Sequence, residues 1–411
     1  MKRLIVSIMP LMALIAFIFL LLGPRAENSA AEMKVRTGFN YDWWERDLDS
    51  GAGGITGLID DLVSWVSGGD PNMTEPEAIK GTQLYVPIII DGRYQDFSFS
   101  LLTAYTSTQV DLSNGKSKSL TTLLDTRVNL AYELLDRFPV DTLLGLDINL
   151  PTGQTNLEED DLDLMMDSDL VSINQFGEGL NINPTLNLAR KWKDWMAGLG
   201  IGYVFRGKYD FSSGTRNFDP GDIINFTAEI VHDLPVDWQI RLFSNYAYYG
   251  KDKVGGEDYY QEGDLFLFGL GLDYRQDRWD GNLTLTSISR GDGELLDADW
   301  LTSRLATEAS KSHGDELIVD LSMRYFLSNR TTLRSMVELL QIGASDYELS
   351  SFFVGKRQKI SLEAGAATQL YPNLEGELKV RGFLMEKGET LFWEGKEYKG
   401  FSIEARLSTR F

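Results

Sequence analysis

The chain has 411 residues, 61 acidic against 39 basic side chains, a formal net charge of -22, two histidines and no cysteine. An acidic balance argues against nucleic acid or anionic lipid as the partner. The missing cysteines exclude disulfides, thiolate metal sites and a cysteine nucleophile.

At the N-terminus Lys2 and Arg3 precede an apolar run from Leu4 to Leu22, and small residues follow, with Ser29 and Ala31 placed before a cleavage point. This layout predicts a secretory signal over residues 1–31, the alternative being an uncleaved anchor, because the run is long enough to span a bilayer. Loss of Lys2, Arg3, Arg25 and Glu27 with the leader leaves 36 basic and 60 acidic residues over 32–411, a net charge of -24. No second apolar run of helical spanning length follows, which leaves a secreted globular protein or a membrane barrel.

From residue 33 onward the chain alternates apolar and polar residues. Strands are predicted near 33–45, 82–91, 95–106, 120–135, 139–150, 179–191, 194–207, 222–233, 236–249, 263–275, 278–290, 315–327, 330–344, 357–369, 373–386 and 399–411. Most reach the roughly 9–11 residues that cross an outer membrane when tilted, against about 5–6 for an average soluble strand. Tight links such as "DGRYQD", "LDRFPVD" and "HDLPVDW" alternate with long ones at 46–80, 107–119, 151–178, 208–221, 250–262 and 291–314. The fold expected is an all-β transmembrane antiparallel up-and-down β-barrel of about 16 strands. A barrel of 14 strands with 33–45 folded inside as a plug is the alternative.

Aromatics stand beside the tight turns: Tyr94, Phe138, Trp192, Trp195, Trp238, Trp279, Tyr325 and Tyr371. Rings at these positions would form a girdle at the membrane interface. The final strand ends on Phe411. A C-terminal aromatic there resembles the signal by which the barrel-assembly machinery recognises bacterial outer-membrane proteins.

Two long links contain material that could narrow a pore. Residues 55–66, "ITGLIDDLVSWV", show helical spacing of apolar side chains with Asp60 and Asp61 opposite, as in a short amphipathic helix. Residues 157–170, "LEEDDLDLMMDSDL", form an acidic outer loop carrying Glu158, Glu159, Asp160, Asp161, Asp163, Asp167 and Asp169. These carboxylates could line a cation-favouring entrance or bind divalent ions through oxygen, but the loop lacks the glycine and terminal Glu spacing of a helix-loop-helix calcium site, and a solvated acidic loop with no metal is the expectation.

Strand parity assigns an inner face. Basic candidates are Arg36, Arg127, Arg241, Arg324, Arg334, Lys379, Arg381, Arg406 and Arg410; acidic ones are Asp125, Glu133, Asp147, Glu229, Asp273, Asp320, Glu338, Glu363, Glu375, Glu377 and Glu404. Such an interior is hydrated, as a pore with a transverse field or as wall-stiffening cross-strand pairs. Gly198, Gly200 and Gly202 on that face could leave room for a ligand or an inserted segment, or relieve strand bending. His232 falls in a tight turn and His313 in a long loop at the other end, so they share no site. A Ser-His-acid arrangement around His313, Asp315 and Ser310 or Ser312 has little support. No enzyme activity and no cofactor are expected.

"LDINLPTGQ" at 146–154 and "FGEGLNINPTLNLARKWKDWMAGLGIGYVFRGKYDFSSGTRNFDPGD" at 176–222 resemble the outer-membrane family named for the meta-pathway of phenol degradation. The matching residues are Pro151, Thr152, Gly153, Gly177, Gly179, Trp192, Trp195, Pro220, Gly221 and Asp222. The resemblance implies a porin-like or hydrophobic-compound transporter barrel, distantly related to fatty-acid channels. The chain departs from that pattern in lacking an Asn-Pro-Ala hatch and in its charged inner face. The function expected is an outer-membrane channel for small, mostly polar solutes in a Gram-negative bacterium, embedded among membrane lipid and lipopolysaccharide. A transporter of hydrophobic or aromatic compounds and a structural barrel around a partner protein are the alternatives.

Overall fold

Alternation becomes geometry where every second side chain is driven outward by being apolar. The computed structural model describes residues 31–46, 77–296, 305–307, 314–346, 354–388 and 395–411. Residues 1–30 of the leader expected over 1–31, and the stretch 55–66 expected as an amphipathic helix, lie outside the described residues.

The wall strands are β1 Glu32–Arg46, β2 Ala78–Tyr94, β3 Phe97–Leu112, β4 in two runs (Ser117–Leu123 and Thr126–Leu134), β5 Asp141–Leu150, β6 Asn181–Trp192, β7 Trp195–Arg206 and β8 Ile223–Leu234. They continue as β9 Trp238–Tyr249, β10 Leu265–Arg275, β11 Trp279–Arg290, β12 Glu316–Phe326, β13 Thr331–Ile342, β14 Arg357–Tyr371, β15 Leu374–Lys387 and β16 Lys396–Arg410. The main sheet has 17 ladder segments. Both runs of β4 pair with β3, so these make sixteen wall strands. Each strand pairs antiparallel with its sequence neighbour, and β16 pairs with β1 from Lys34↔Arg410 to Arg46↔Tyr398. The sheet is therefore closed. Glu32–Arg46 is paired on both sides and is part of the wall, which rules out the 14-strand arrangement with an internal plug.

The exterior carries the apolar set. On β6, Ile182, Leu186 and Leu188 are exposed, as are Leu199, Ile201 and Phe205 on β7 and Leu378, Val380 and Leu384 on β15. Leu199 is 64% exposed and Leu384 61%, values that only a lipid-facing role reconciles with their chemistry. No helix among the described residues is long and apolar enough to cross a membrane, so the strands do the crossing. This is the architecture of an outer-membrane barrel.

Links at one end are short. The other end differs from expectation in two places. Residues 107–119 are strand and tight turn, because β3 runs on to Leu112 and Gly115 at φ 79 reverses the chain. The links at 208–221, 250–262 and 291–314 contribute a five-stranded sheet from Phe218–Asp219, Lys251–Val254, Glu257–Gln261, Glu294–Leu296 and Leu305–Thr307. Strand β4 breaks at Leu124 and Asp125, and above the break its first run pairs with β3 alone.

The aromatics at the short turns point outward. Trp192, Trp195, Trp238, Trp279 and Tyr371 are all exposed. Trp238 packs on Tyr274 and Trp279 on Tyr325, each at 4.6 Å between ring centroids. Tyr94 ends β2 on the same exterior parity. His232 stacks on Trp195 at 4.0 Å, so it belongs to this aromatic band. Phe411 closes the wall at this end: its N–H donates to the Met33 carbonyl at 2.9 Å.

In the turn joining β8 to β9, Val236 and Asp237 both have positive φ, 64° and 62°. A β-branched residue in the left-handed region is strained. Val236→Asn is expected to stabilise the barrel by about 1 kcal/mol, read as a higher urea midpoint for unfolding in detergent micelles.

Candidate solute passage

Opposite the lipid-facing set lies a polar interior, and the segment 151–180 folds into it. Residues Leu157, Leu164, Met166, Leu170, Val171 and Phe176 of this segment are buried with Trp44, Val110, Leu112 and Met385 of the wall. Burying each such side chain stabilises by roughly 1.5–3 kcal/mol, which explains why an acid-rich loop turns inward. The solvated outer loop expected from its carboxylates is therefore not what forms.

Wall side chains hold the segment at defined points. Trp44 Nε1 donates to Met166 Sδ at 3.1 Å. Gln83 brackets Ile173, donating to its carbonyl at 2.7 Å and accepting from its N–H at 2.8 Å. Asp42 accepts from the Ser172 N–H at 3.0 Å. Arg357 meets Asp167 at 2.8 Å and also pairs with Asp169, while Lys359 Nζ donates to the Asp169 carbonyl at 2.5 Å. Asp163 pairs with Lys118 at 2.8 Å.

Asp125, buried beside the break in β4, clasps both ends of the segment. It accepts from the Gly153 N–H and the Glu178 N–H, each at 2.7 Å, and from Asn149 Nδ2 at 2.7 Å. A side chain at Gly153 would strike the Phe176 carbonyl at 2.0 Å, so the close approach of the two ends requires glycine there. Glu158 stays exposed ahead of a 3-10 turn that runs from Glu159 through Asp160, Asp161 and Asp163 to Leu164. Among the described residues no group of three or more His, Asp or Glu side chains is arranged to hold a metal ion.

The segment covers the inner face of β14–β16 and β1–β4. In the same arc lies a ladder of ion pairs across β13–β16. Arg334 meets Glu377 at 2.6 Å, Arg406 pairs with Glu404 and reaches Glu377 at 4.0 Å, and Lys379 lies 2.9 Å from Glu404 and 3.9 Å from Glu363. Arg381 pairs with Glu338. Arg36 meets Asp91 at 2.7 Å across β1 and β2, and Glu133 meets Arg93 at 2.6 Å. Arg127 lines a cavity with Tyr85 and the returning Ser172–Glu178 stretch. Glu375 and Arg410 share a second cavity with Arg334 at the short-turn end.

Among the described residues the segment leaves the arc β5–β12 uncovered. Its inner face carries Asn183, Thr185, Asn187, Asn225, Thr227 and Asn245 on paired positions of β6–β9. At Gly200 the room is already taken, since a Cβ would meet Thr227 Oγ1 at 2.3 Å and Asn187 Oδ1 at 2.4 Å, whereas at Gly198 it would meet only the Leu188 carbonyl at 3.7 Å. Asp147 accepts from Asn183 at 3.2 Å and from Asn129, and Asp273 accepts from Asn282 at 2.9 Å. Asp147, Glu229, Asp273 and Asp320 make no ion pair among the described residues, whereas Arg324 pairs with Asp280 at 2.6 Å. Arg241 stands over the Phe243 ring at 5.0 Å.

Three groups outside the wall have shifted acidities, among them Asp252, whose carboxyl is raised by burial. Burial pushes the Tyr209 phenol up to about 12. Burial acts to raise Glu77 as well, but hydrogen bonds from Lys396 and Arg46 outweigh it and hold the carboxyl below its ordinary range. His313, Ser310 and Ser312 lie outside the described residues.

The wall anchors Trp44, Gln83, Arg357 and Lys359 were not singled out by sequence. Their signal was parity, since all four fall on the inner side of their strands.

No family model matches this chain, so its likeness to the phenol meta-pathway group rests on the motifs quoted above. No curated protein matches it either. Among solved structures it is similar to an anion-selective porin from Comamonas acidovorans, at 12% identity and a TM-score of 0.41 over 93% of this chain and all of that one. It is also similar to OpdQ of Pseudomonas aeruginosa, at 10%, 0.45, 93% and 98%. A mutant of the monoaromatic hydrocarbon channel TodX matches at 10%, 0.43, 95% and 92%.

Because the folded state depresses Glu77, its contribution to stability is present above the ordinary carboxylate range and is lost as pH falls through the folded value. Wild type and Glu77→Gln should therefore differ in thermal stability at neutral pH and converge in acid, as followed by circular dichroism in micelles.

Proposed function

We propose that the protein is a passive outer-membrane channel for small, mostly polar solutes, narrowed by the segment 151–180. The observation that carries this reading is the uneven coverage of the interior. Among the described residues the inserted segment lies on one arc and leaves the arc β5–β12 uncovered. A barrel of this strand number leaves a water-filled channel unless it is filled. An apolar conduit would need a predominantly greasy inner face, whereas on the uncovered arc Phe243, Leu267, Ile288 and Ile318 share the inner parity with a larger set of amides, hydroxyls and charged groups.

Asp147, Glu229, Asp273 and Asp320 along the open arc favour cations, with Arg241 as a counter-charge. The aromatic band seats the barrel at the headgroup level, and exposed Phe411 is offered to the assembly machinery after removal of the leader. Lipopolysaccharide would surround the long-loop end.

Planar-bilayer recording of the refolded barrel tests the reading. Stable, cation-preferring openings are expected; silence from folded protein refutes an open channel and favours an apolar-ligand transporter or a barrel that holds a partner. Tight binding of an apolar ligand would identify the former, and a stoichiometric co-purifying protein the latter. Neutralising Glu229 and Asp320 together (Glu229→Gln, Asp320→Asn) should lower the cation-to-anion permeability ratio, by roughly twofold per charge for a passing ion about 7–8 Å away in water. Arg357→Ala removes charged contacts worth about 1.5–3 kcal/mol and should free the segment, seen as larger or noisier single-channel currents.

A further inference from the structure

Most amides on the inner face are engaged within the wall. Asn129 and Asn183 donate to Asp147, Asn149 to Asp125, Asn282 to Asp273 and Asn40 to Asp42. One patch departs from this pattern. Asn187 of β6, Thr227 of β8 and Asn245 of β9 stand in a single cross-strand row with Gly200 of β7 between the first two, and Asn225 lies one step nearer the long loops. All four side chains are half-buried or exposed, and among the described residues none of them makes a hydrogen bond. The row crosses three strand spacings, roughly 14 Å.

Glycine gives the patch its shape. Asn187 and Thr227 lie down over Gly200 from either side, and the next glycine of the strand, Gly198, leaves open space beside Glu229. In a ring of sixteen strands β6–β9 lie half a circuit from β14–β1, the wall to which Arg357, Lys359 and Asp42 bind the segment 151–180. The row therefore belongs to the side of the lumen that the segment leaves uncovered.

We infer that this row is a binding subsite for a neutral polyhydroxylated solute, a sugar or polyol, an assignment that rests on the channel reading above and narrows its solute class. The chemistry of the row decides the class. An amide offers N–H donors and a carbonyl acceptor, and a threonine hydroxyl both donates and accepts. A cation uses only the acceptors and an anion only the donors, whereas neighbouring hydroxyls on one ring use both at once. Below the row, Glu229 of β8 and Arg241 of β9 carry opposite charges, so the patch has no net charge with which to hold an ion.

The test uses the folded full-length barrel in a detergent without a sugar headgroup. Isothermal titration calorimetry with maltose reads the subsite, and planar-bilayer conductance of the same preparation reads the channel. Saturable maltose binding is expected, with a saturable fall in ion current as the sugar occupies the lumen. Asn187→Leu with Asn245→Leu should weaken binding by roughly fivefold for each amide removed, and Ser322→Ala, an inner-face change on β12, should leave it unchanged. If the leucine pair does not fold, as judged by heat-dependent gel mobility, Thr227→Val, which keeps the shape and loses the hydroxyl, should still weaken binding. Conductance without maltose binding would overturn this assignment and leave the channel reading standing; maltose binding without conductance would refute the open channel and leave the subsite in place. Tighter binding of choline than of maltose, or unchanged affinity in the row variants, would also overturn it.

Discussion

Backbone hydrogen bonding without water is the constraint on which this molecule depends. In hydrocarbon an unpaired peptide N–H or C=O costs several kcal/mol, so a sheet can face lipid only if it has no edge. The pairing of β16 with β1, sealed by Phe411 on Met33, meets that demand. Once the ring is closed, parity does the rest: a residue faces lipid or lumen, and apolar chemistry decides which register survives. Among the described residues the first run of β4 pairs with β3 alone, and it stands above the level at which β5 ends.

The interior solves a different problem. It holds many charges, but most on the covered arc are paired across strands, so they stiffen the wall beneath the inserted segment. The acidic side chains of that segment behave likewise: Asp163, Asp167 and Asp169 point to Lys118 and Arg357. The exposed residues of its return stretch are Ser172, Asn174 and Gln175. Among the described residues the face turned to the lumen is therefore largely hydroxyl and amide from the segment on one side and, from β5–β12 on the other, largely amide, hydroxyl and charged groups.

The barrel was legible because its signal is repeated sixteen times. Each strand alone, such as "GFSIEARLSTRF", is ambiguous, but the even recurrence and alternating link lengths are not. Parity also places the inner-face residues, since a period of two leaves little freedom. The inserted segment was illegible for the opposite reason. Leu157, Leu164, Met166, Leu170, Val171 and Phe176 follow no helical or strand period, and they sit among carboxylates that dominate any local average. Their destination is fixed by distant partners, Trp44 over a hundred residues away and Arg357 nearly two hundred, and no local pattern encodes such contacts.

The clasp at Asp125 has an implication for how such a protein can change. Because one buried carboxylate gathers Gly153 and Glu178 to the same point, the chain between them leaves and re-enters the wall at nearly one address. Lengthening or rewriting that stretch alters neither the span its ends must bridge nor the register of β5 and β6. The inserted stretch is in this sense a replaceable cassette, and the filling of the lumen can be altered by changes confined to it while the surrounding wall keeps its pairing.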